Sequence, residues 1–181
     1  MTENINVDVE ETYEFNLVSE TDNDYRITKH IAEWLQGNMI QLQDTNDNTI
    51  FSKVNYGYNE STIKGFGKKP VCDVYINGLG YSSDLNSNRP ETVTSFIICY
   101  VKGNMNNAYL KACELTDYLL QGFETNEDWR ELVITEDDIE NRIVRDTYVR
   151  NVRLQIIPSS KTYGVLCAFE LEHKLYEGRI L

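Results

Sequence analysis

The stretch from Thr92 to Phe123 joins a predicted strand to the longest predicted helix of the chain. The segment TVTSFIICYV is rich in β-branched and aromatic residues, and it is apolar on both faces, which is typical of a strand that is central in a sheet or covered on both sides. Gly103 permits a sharp turn, Asn104 is a suitable N-cap, and Gly122 marks the predicted helix end. Between them, apolar residues recur at steps of three and four, which predicts an α-helix. This helical face consists of Met105, Ala108, Tyr109, Ala112, Leu115, Leu119 and Phe123.

Upstream of this stretch, the pattern predicts an N-terminal arm and a first helix. Residues 1–20 alternate apolar and polar positions without turn signals, so they suit an edge strand or an arm that orders on a neighbouring subunit. The first helix follows Asp22 or Asp24 as a possible cap and ends near Gly37. Its predicted apolar face contains Ile27, Ile31, Trp34 and Leu35.

The remaining apolar runs predict strands. Short runs near 50–54 and 71–76 are separated by a long loop, and Asn77-Gly78 predicts a turn that closes the second run. Strict alternation over 152–156 and 165–172, on either side of a turn at Pro158, predicts a hairpin at the end of the chain.

Together these elements predict an α+β fold, in which two main helices flank a mostly antiparallel sheet with an extended N-terminal arm and long loops. The expected organisation is an arm over 1–20 and a single α+β domain over 21–181. An acidic connector at about 124–140 is expected to be tethered to the core by Trp129 and Leu132.

The charge distribution narrows the possible partners. The chain has 29 acidic and 17 basic residues and a net charge of -12, which argues against tight binding to nucleic-acid phosphates or to an anionic membrane. Residues 1–24 and 124–140 contain eight acids each. Such runs suit either a solvated surface or a ring lumen or partner surface that must stay negative.

The cysteines and the apolar runs indicate neither a metal site nor a membrane segment. Cys72, Cys99, Cys113 and Cys167 lack metal-binding spacing and have apolar neighbours, so we expect buried free thiols, which fits a reducing cytosol. The sequence opens with acidic residues rather than with a secretory signal, and no apolar run is long enough to span a membrane.

No catalytic residue, cofactor site or metal site is predicted with a recognisable motif. His30 and His173 have no partner at a family spacing, so both are interpreted as structural or surface histidines. Gly65–Lys69 lacks the spacing and the following helix of a phosphate loop. The acids at 136–140 leave open a hard-cation site, although a solvated acidic loop is the simpler interpretation.

A loop rich in aromatic and basic residues is the predicted interaction surface. The candidate interface residues are Tyr56, Tyr58, Phe66, Lys68 and Lys69. Aromatic residues among lysines can stack on single-stranded nucleic acid, and they can equally anchor a protein interface. The overall acidity favours a protein partner.

The order of these elements resembles that of the tail-terminator, or neck, proteins of tailed bacteriophages. The resemblance covers roughly residues 20–176 and consists of the helix ITKHIAEWL, the strand VCDVYI after a proline, the strand SFIICYV with its following helix, and the final pair VRLQIIPSSKTYGVLCAFEL. It includes no diagnostic residue.

The resemblance implies a structural virion protein rather than an enzyme. Such proteins form a homohexameric ring that caps the tail tube and joins it to the head connector, with DNA passing through without specific binding. The implied partners are the tail-tube protein and the connector, with assembly in the host cytoplasm. Alternatives are another head-tail adaptor, a tail-completion or tail-tube protein, or a small acidic enzyme with a metal near residues 136–140.

Overall fold

The computed structural model describes residues 23–41, 51–57, 70–81, 90–136, 139–157 and 163–176. These ranges contain two helices and six strands. In chain order they are α1 (Asn23–Gln41), β1 (Lys53–Tyr56), β2 (Val71–Tyr81), β3 (Pro90–Gly103), α2 (Met105–Thr125), β4 (Leu132–Glu136), β5 (Ile139–Ile157) and β6 (Tyr163–Leu175).

The six strands form one sheet in the order β1-β2-β3-β6-β5-β4. β1 runs parallel to β2, and all other neighbours are antiparallel. The predicted α+β class with a mostly antiparallel sheet is therefore confirmed. β3, the strand predicted to be internal, lies between β2 and β6, while the predicted arm over 1–20 lies outside the described residues.

One face of the sheet packs against both helices. Along β3, every second side chain from Val93 to Val101 is buried on this face, because successive side chains of a strand point to opposite sides. Trp34 of α1 stacks on Phe123 of α2 with 5.1 Å between ring centroids, so the two helices also contact each other. Buried residues of α1, α2, β2, β3 and β6 belong to one hydrophobic cluster.

The start of α2 follows the prediction, and its end does not. The Asn104 side chain accepts a hydrogen bond from the Asn107 backbone N–H at 3.0 Å, which confirms the N-cap. The helix continues past Gly122 to Thr125, and the Asn126 N–H donates to the Gly122 carbonyl. On the predicted apolar face, Tyr109 is an exception because it is 45% exposed.

Two sequence predictions about the strands are wrong. The acidic stretch 124–140 contains β4 and the beginning of β5, which pair with each other, whereas no strand was predicted there. Asn77-Gly78 does not close a strand, because β2 continues to Tyr81 with a register shift between Ile76 and Gly78. A bulge of this kind accommodates turn-forming residues inside a strand.

The tether and the thiols follow the prediction. Trp129 and Leu132 are buried, and the Trp129 Nε1–H donates to the Phe123 carbonyl at 3.2 Å. All four cysteines are free; Cys72, Cys99 and Cys167 are buried, and Cys113 is half-buried. Cys72 and Cys99 face each other across β2 and β3 with their sulfur atoms 3.7 Å apart.

Candidate protein interface

The face of the sheet opposite the helices has an apolar depression. Phe96 and Ile98 on β3 alternate with the core residues Ile97 and Cys99, so their side chains point away from the helices. Leu166 of β6 is on the same face, because it pairs with Tyr100. The cavity has a volume of about 220 Å³ and is lined by Tyr75, Phe96, Ile98, Asn151, Arg153, Gln155, Leu166, Ala168 and Glu170.

The depression exists because a small residue sits between larger ones. Ala168 pairs with Ile98 on one side and with Arg153 on the other. Its single methyl group leaves space between these larger side chains, and this space is the depression. Tyr75 and Phe96 form one wall, with their rings in an edge-to-face contact at 5.9 Å. The polar side chains of β5 form the opposite wall. An apolar floor with a polar rim is the usual anatomy of a protein interface.

Two of the basic side chains beside the depression have partners within the chain. Arg150, at a register shift in β5, forms an ion pair with Glu172 of β6. The Lys174 ammonium lies 4.7 Å from the ring centroid of Tyr148, at cation–π distance. The pKa of the Tyr148 hydroxyl is raised, first by its hydrogen bond with Asp146. This flank of the face therefore offers aromatic and apolar contact more than an unbalanced charge.

At the other flank, a buried carboxylate connects β1 to β2. Asp73 pairs with Ile98 and is fully buried, and its Oδ1 accepts a hydrogen bond from Asn55 Nδ2 at 2.7 Å. Burial of a carboxylate requires such partners. The Asn55–Asp73 contact thus joins the short edge strand β1 to the wall of the depression.

A buried hydrogen-bond chain involves one of the two histidines. The Ser95 hydroxyl lies 2.7 Å from His173 Nε2, and His173 Nδ1 lies 3.0 Å from Thr147 Oγ1. The Thr147 hydroxyl also donates to the Arg130 carbonyl, so it accepts from His173 Nδ1–H, and Ser95 donates to His173 Nε2. All three side chains are almost completely buried on the helix side, so His173 is part of the core rather than of the surface.

Ser95 and His173 have the hydroxyl and the imidazole of a nucleophile and its base, but neither side chain is accessible to a substrate. Burial lowers the pKa of His173 to about 3, so the imidazole is neutral. A hydroxyl with no solvent-exposed surface cannot reach a substrate carbonyl, so the geometry supports packing rather than acyl transfer. Sequence reasoning missed this contact because 78 positions separate the two residues.

A second cavity, of about 290 Å³, lies between α1 and β4. It is lined by Tyr25, Arg26, Lys29, His30, Glu33, Leu132 and Ile134. The α1 residues recur at helical spacing on one face. Burial lowers the pKa of His30, and its Nε2 is buried without a hydrogen-bond partner among the described residues.

Most of the sequence-predicted interface lies outside the described residues, namely Tyr58, Phe66, Lys68 and Lys69. Tyr56 is at the end of β1, where it is half exposed and contacts the Tyr25 ring edge-to-face at 5.4 Å. The structure brings Tyr56 close to α1 rather than to the depression. The residues that line the depression were not predicted as a site, because no sequence signal showed that these distant strand positions lie together on one face.

The acidic stretch at 136–140 is only partly described. Asp137 and Asp138 lie outside the described residues, and Glu140 is 3.5 Å from Arg142 in an exposed ion pair. Within the described ranges, no group of three or more His, Cys, Asp or Glu side chains is arranged to hold a metal ion.

Neither described helix is long and apolar enough to cross a membrane. A comparison of the sequence with models of known protein families and with curated proteins found no match.

Proposed function

We propose that this protein is a structural subunit that closes into a ring and terminates the tail tube of a bacteriophage. The observation that carries the proposal is the apolar depression on the face of the sheet opposite the two described helices. α1 and α2 pack on the other face; in the depression Phe96 and Leu166 are half-buried and can contact a partner, whereas Ile98 is buried in its floor. The resemblance of the chain to tail-terminator proteins suggests which assembly this surface serves, namely a ring that caps the tail tube.

A closed ring built head to tail needs two different patches on each subunit. The C-terminal end of β5 has exposed side chains on both faces of the sheet, and each face provides one contact patch. Arg153 and Gln155 line the depression, whereas Leu154 and Ile156 point to the helix side. Leu154 is 37% exposed and Ile156 is 43% exposed, although they pair with the buried residues Cys167 and Val165. The second patch therefore consists of Leu154 and Ile156.

The charge of the chain suits a ring through which DNA passes. A net charge of -12 repels a phosphate backbone, so the lumen does not retain the DNA. The partners in this proposal are other copies of the chain, the tail-tube protein and the head connector. The proposed location is the neck of the virion, after assembly in the host cytoplasm, and the role requires no catalytic group.

Mass photometry and negative-stain imaging of the purified protein, with and without tail tubes, test the proposal. We expect a six-fold ring, free or at tube ends. A permanent monomer that ignores tubes would reject the proposal. An open-ended polymer formed by the protein alone would instead indicate a tail-tube subunit, since a terminator stops at one ring.

Substitutions locate the ring contacts. Ile156→Lys places a charge in the second patch, and Arg153→Glu reverses the charge of the depression wall. Both side chains are exposed, so the fold is expected to tolerate either change. Each is expected to prevent the ring while the circular dichroism spectrum stays the same. Leu110→Lys is the matched control, because Leu110 is 59% exposed on α2 and lies in neither patch.

A further inference from the structure

The cavity between α1 and β4 concentrates positive charge in an acidic protein. Arg26 and Lys29 contribute two permanent cations against the single carboxylate of Glu33. Lys29 Nζ lies 5.9 Å from the centroid of the Tyr25 ring, and all these side chains are partly or fully accessible. The described lining residues therefore carry one more positive than negative charge, whereas the chain as a whole carries a net charge of -12.

The cavity also has a hydrogen-bonding group and an apolar wall. His30 Nε2 is buried and has no hydrogen-bond partner in the described part of the chain. Leu132 and Ile134 of β4 form the opposite side. A ligand that carries carboxylates beside apolar side chains would satisfy both kinds of surface.

β4 supplies a backbone edge next to the cavity. It is the last strand in the order of the described sheet and pairs with β5 on one side. An extended peptide can add to such an edge through main-chain hydrogen bonds, with alternate side chains entering pockets on one face. Val133, which alternates with the cavity residues Leu132 and Ile134, is 41% exposed on the other face.

The chain contains a segment with the matching pattern. Residues 1–20 carry six acids and no lysine or arginine. Around Val7 and Val9 the acids Asp8 and Glu10 occupy the alternate positions, so an extended segment would present carboxylates on one side and apolar groups on the other.

We propose that the cavity between α1 and β4 binds the acidic N-terminal segment, residues 1–20, of a neighbouring copy of this chain. The inference rests on the proposed ring and names one of its contacts. A fully extended segment of this length spans roughly 65 Å, which is enough to reach across a subunit boundary. In the proposed ring, the neighbouring copy supplies this segment.

A charge-swap experiment on the full-length chain tests the proposal. The first variant reverses the cavity with Arg26→Glu and Lys29→Glu, and the second reverses the segment with Asp8→Lys, Glu10→Lys and Glu14→Lys. Alone, each variant opposes like charges at every contact. Mixed, the two variants can alternate around a ring in which each contact again joins opposite charges.

The expected result, read by mass photometry, is that each variant alone needs at least about a tenfold higher subunit concentration to form rings, and that the equimolar mixture recovers wild-type assembly. The control is Lys111→Glu with Arg145→Glu, which reverses two exposed charges outside the cavity. Lys29→Glu alone provides a milder variant if the double substitution changes the circular dichroism spectrum.

The other outcomes separate the two proposals. If the wild-type chain forms rings and both variants still form them, the N-terminal contact is wrong and the ring proposal stands. Loss of rings in folded variants without recovery on mixing would also reject a contact between copies. If the wild-type chain is a monomer, both the ring and the contact are rejected.

Discussion

The hydroxyl of Ser95 lies 2.7 Å from Nε2 of His173, and both side chains are sealed in the core beneath the helices. The His173 ring bridges β3 and β5, because its other nitrogen contacts Thr147. A neutral imidazole satisfies this geometry with one donor and one acceptor. Protonation would place a second donor opposite the Ser95 hydroxyl and would bury a charge.

This arrangement predicts that the protein loses stability as the pH falls. The pKa of His173 is lowered from 6.5 to about 3 by burial and then by His30. Below about pH 6.5 the His173 imidazole binds a proton in the unfolded chain, whereas it stays neutral in the folded chain. The contribution of His173 to the unfolding free energy is therefore fully present above pH 6.5 and is lost as the pH falls towards 3. The maximum loss is about 5 kcal/mol of unfolding free energy, at 1.36 kcal/mol per pKa unit.

Urea unfolding at several pH values between about 7 and 4 measures this effect. His173→Gln retains a donor and an acceptor and removes the titration, so its unfolding free energy should depend less on pH than that of the wild type. Carboxylates titrate in both proteins and cancel in the comparison. Equal pH slopes in the two proteins would contradict the assignment.

The aromatic cluster between the helices predicts a large cost for truncation. Phe123 contacts Trp34, Trp129 and Phe169 with ring centroids 4.7–5.7 Å apart, and it is 3% exposed. Phe123→Ala should therefore lower the unfolding free energy by about 3–5 kcal/mol, because it removes these contacts and leaves a cavity.

Tyr109→Ala is the matched control for that experiment. Tyr109 lies on the same helix, and its sequence position suggested the same apolar face, but it is 45% exposed. Its removal should cost less than about 1 kcal/mol in urea denaturation. If the two variants lost similar amounts of unfolding free energy, the assignment of Phe123 as buried and Tyr109 as exposed would be wrong.

The difference between Phe123 and Tyr109 shows what the sequence could predict. Helical periodicity placed both residues on one face, and it correctly predicted the helix, its N-cap and the central strand. Periodicity cannot show how far the sheet extends beneath the helix, so it could not separate the buried residue from the exposed one. That distinction depends on tertiary packing.

β4 and the candidate interface show where the sequence was insufficient. The segment LVITE is short and lies among acids, so its local pattern favoured a connector, whereas pairing with β5 makes it a strand. The apolar depression depends on Ala168 lying between Ile98 and Arg153, residues that are distant in the chain. Both features depend on the register between strands that are distant in sequence. The pattern of one segment shows which of its residues share a face, but not which residues of another strand they pair with.

The thiols should react in a defined order. Burial raises the pKa of Cys167 to about 12, and it also raises the pKa of Cys99, whereas Cys113 is half-buried on α2. Since the thiolate is the reactive form, Cys113 should react first with a disulfide reagent such as DTNB, and the other three cysteines should react only after unfolding.

Absorbance at native and denaturing urea concentrations counts the reactive thiols. Cys113→Ser should remove the native-state reaction and leave the later phase unchanged. Rapid native modification of Cys72 or Cys99, located by mass spectrometry, would show that the paired sulfurs are more accessible than their complete burial indicates.

The N-cap of α2 gives two neighbouring substitutions of opposite expected sign. Asn104→Ala removes the acceptor for the Asn107 N–H and should lower the unfolding free energy by about 1 kcal/mol. Asn106→Ala, at an exposed position in the first turn, should leave stability unchanged or raise it by up to about 0.5 kcal/mol, because alanine has the higher helix propensity. Urea titrations of the two variants measure this contrast, and equal losses would mean that the Asn104 side chain does not cap the helix.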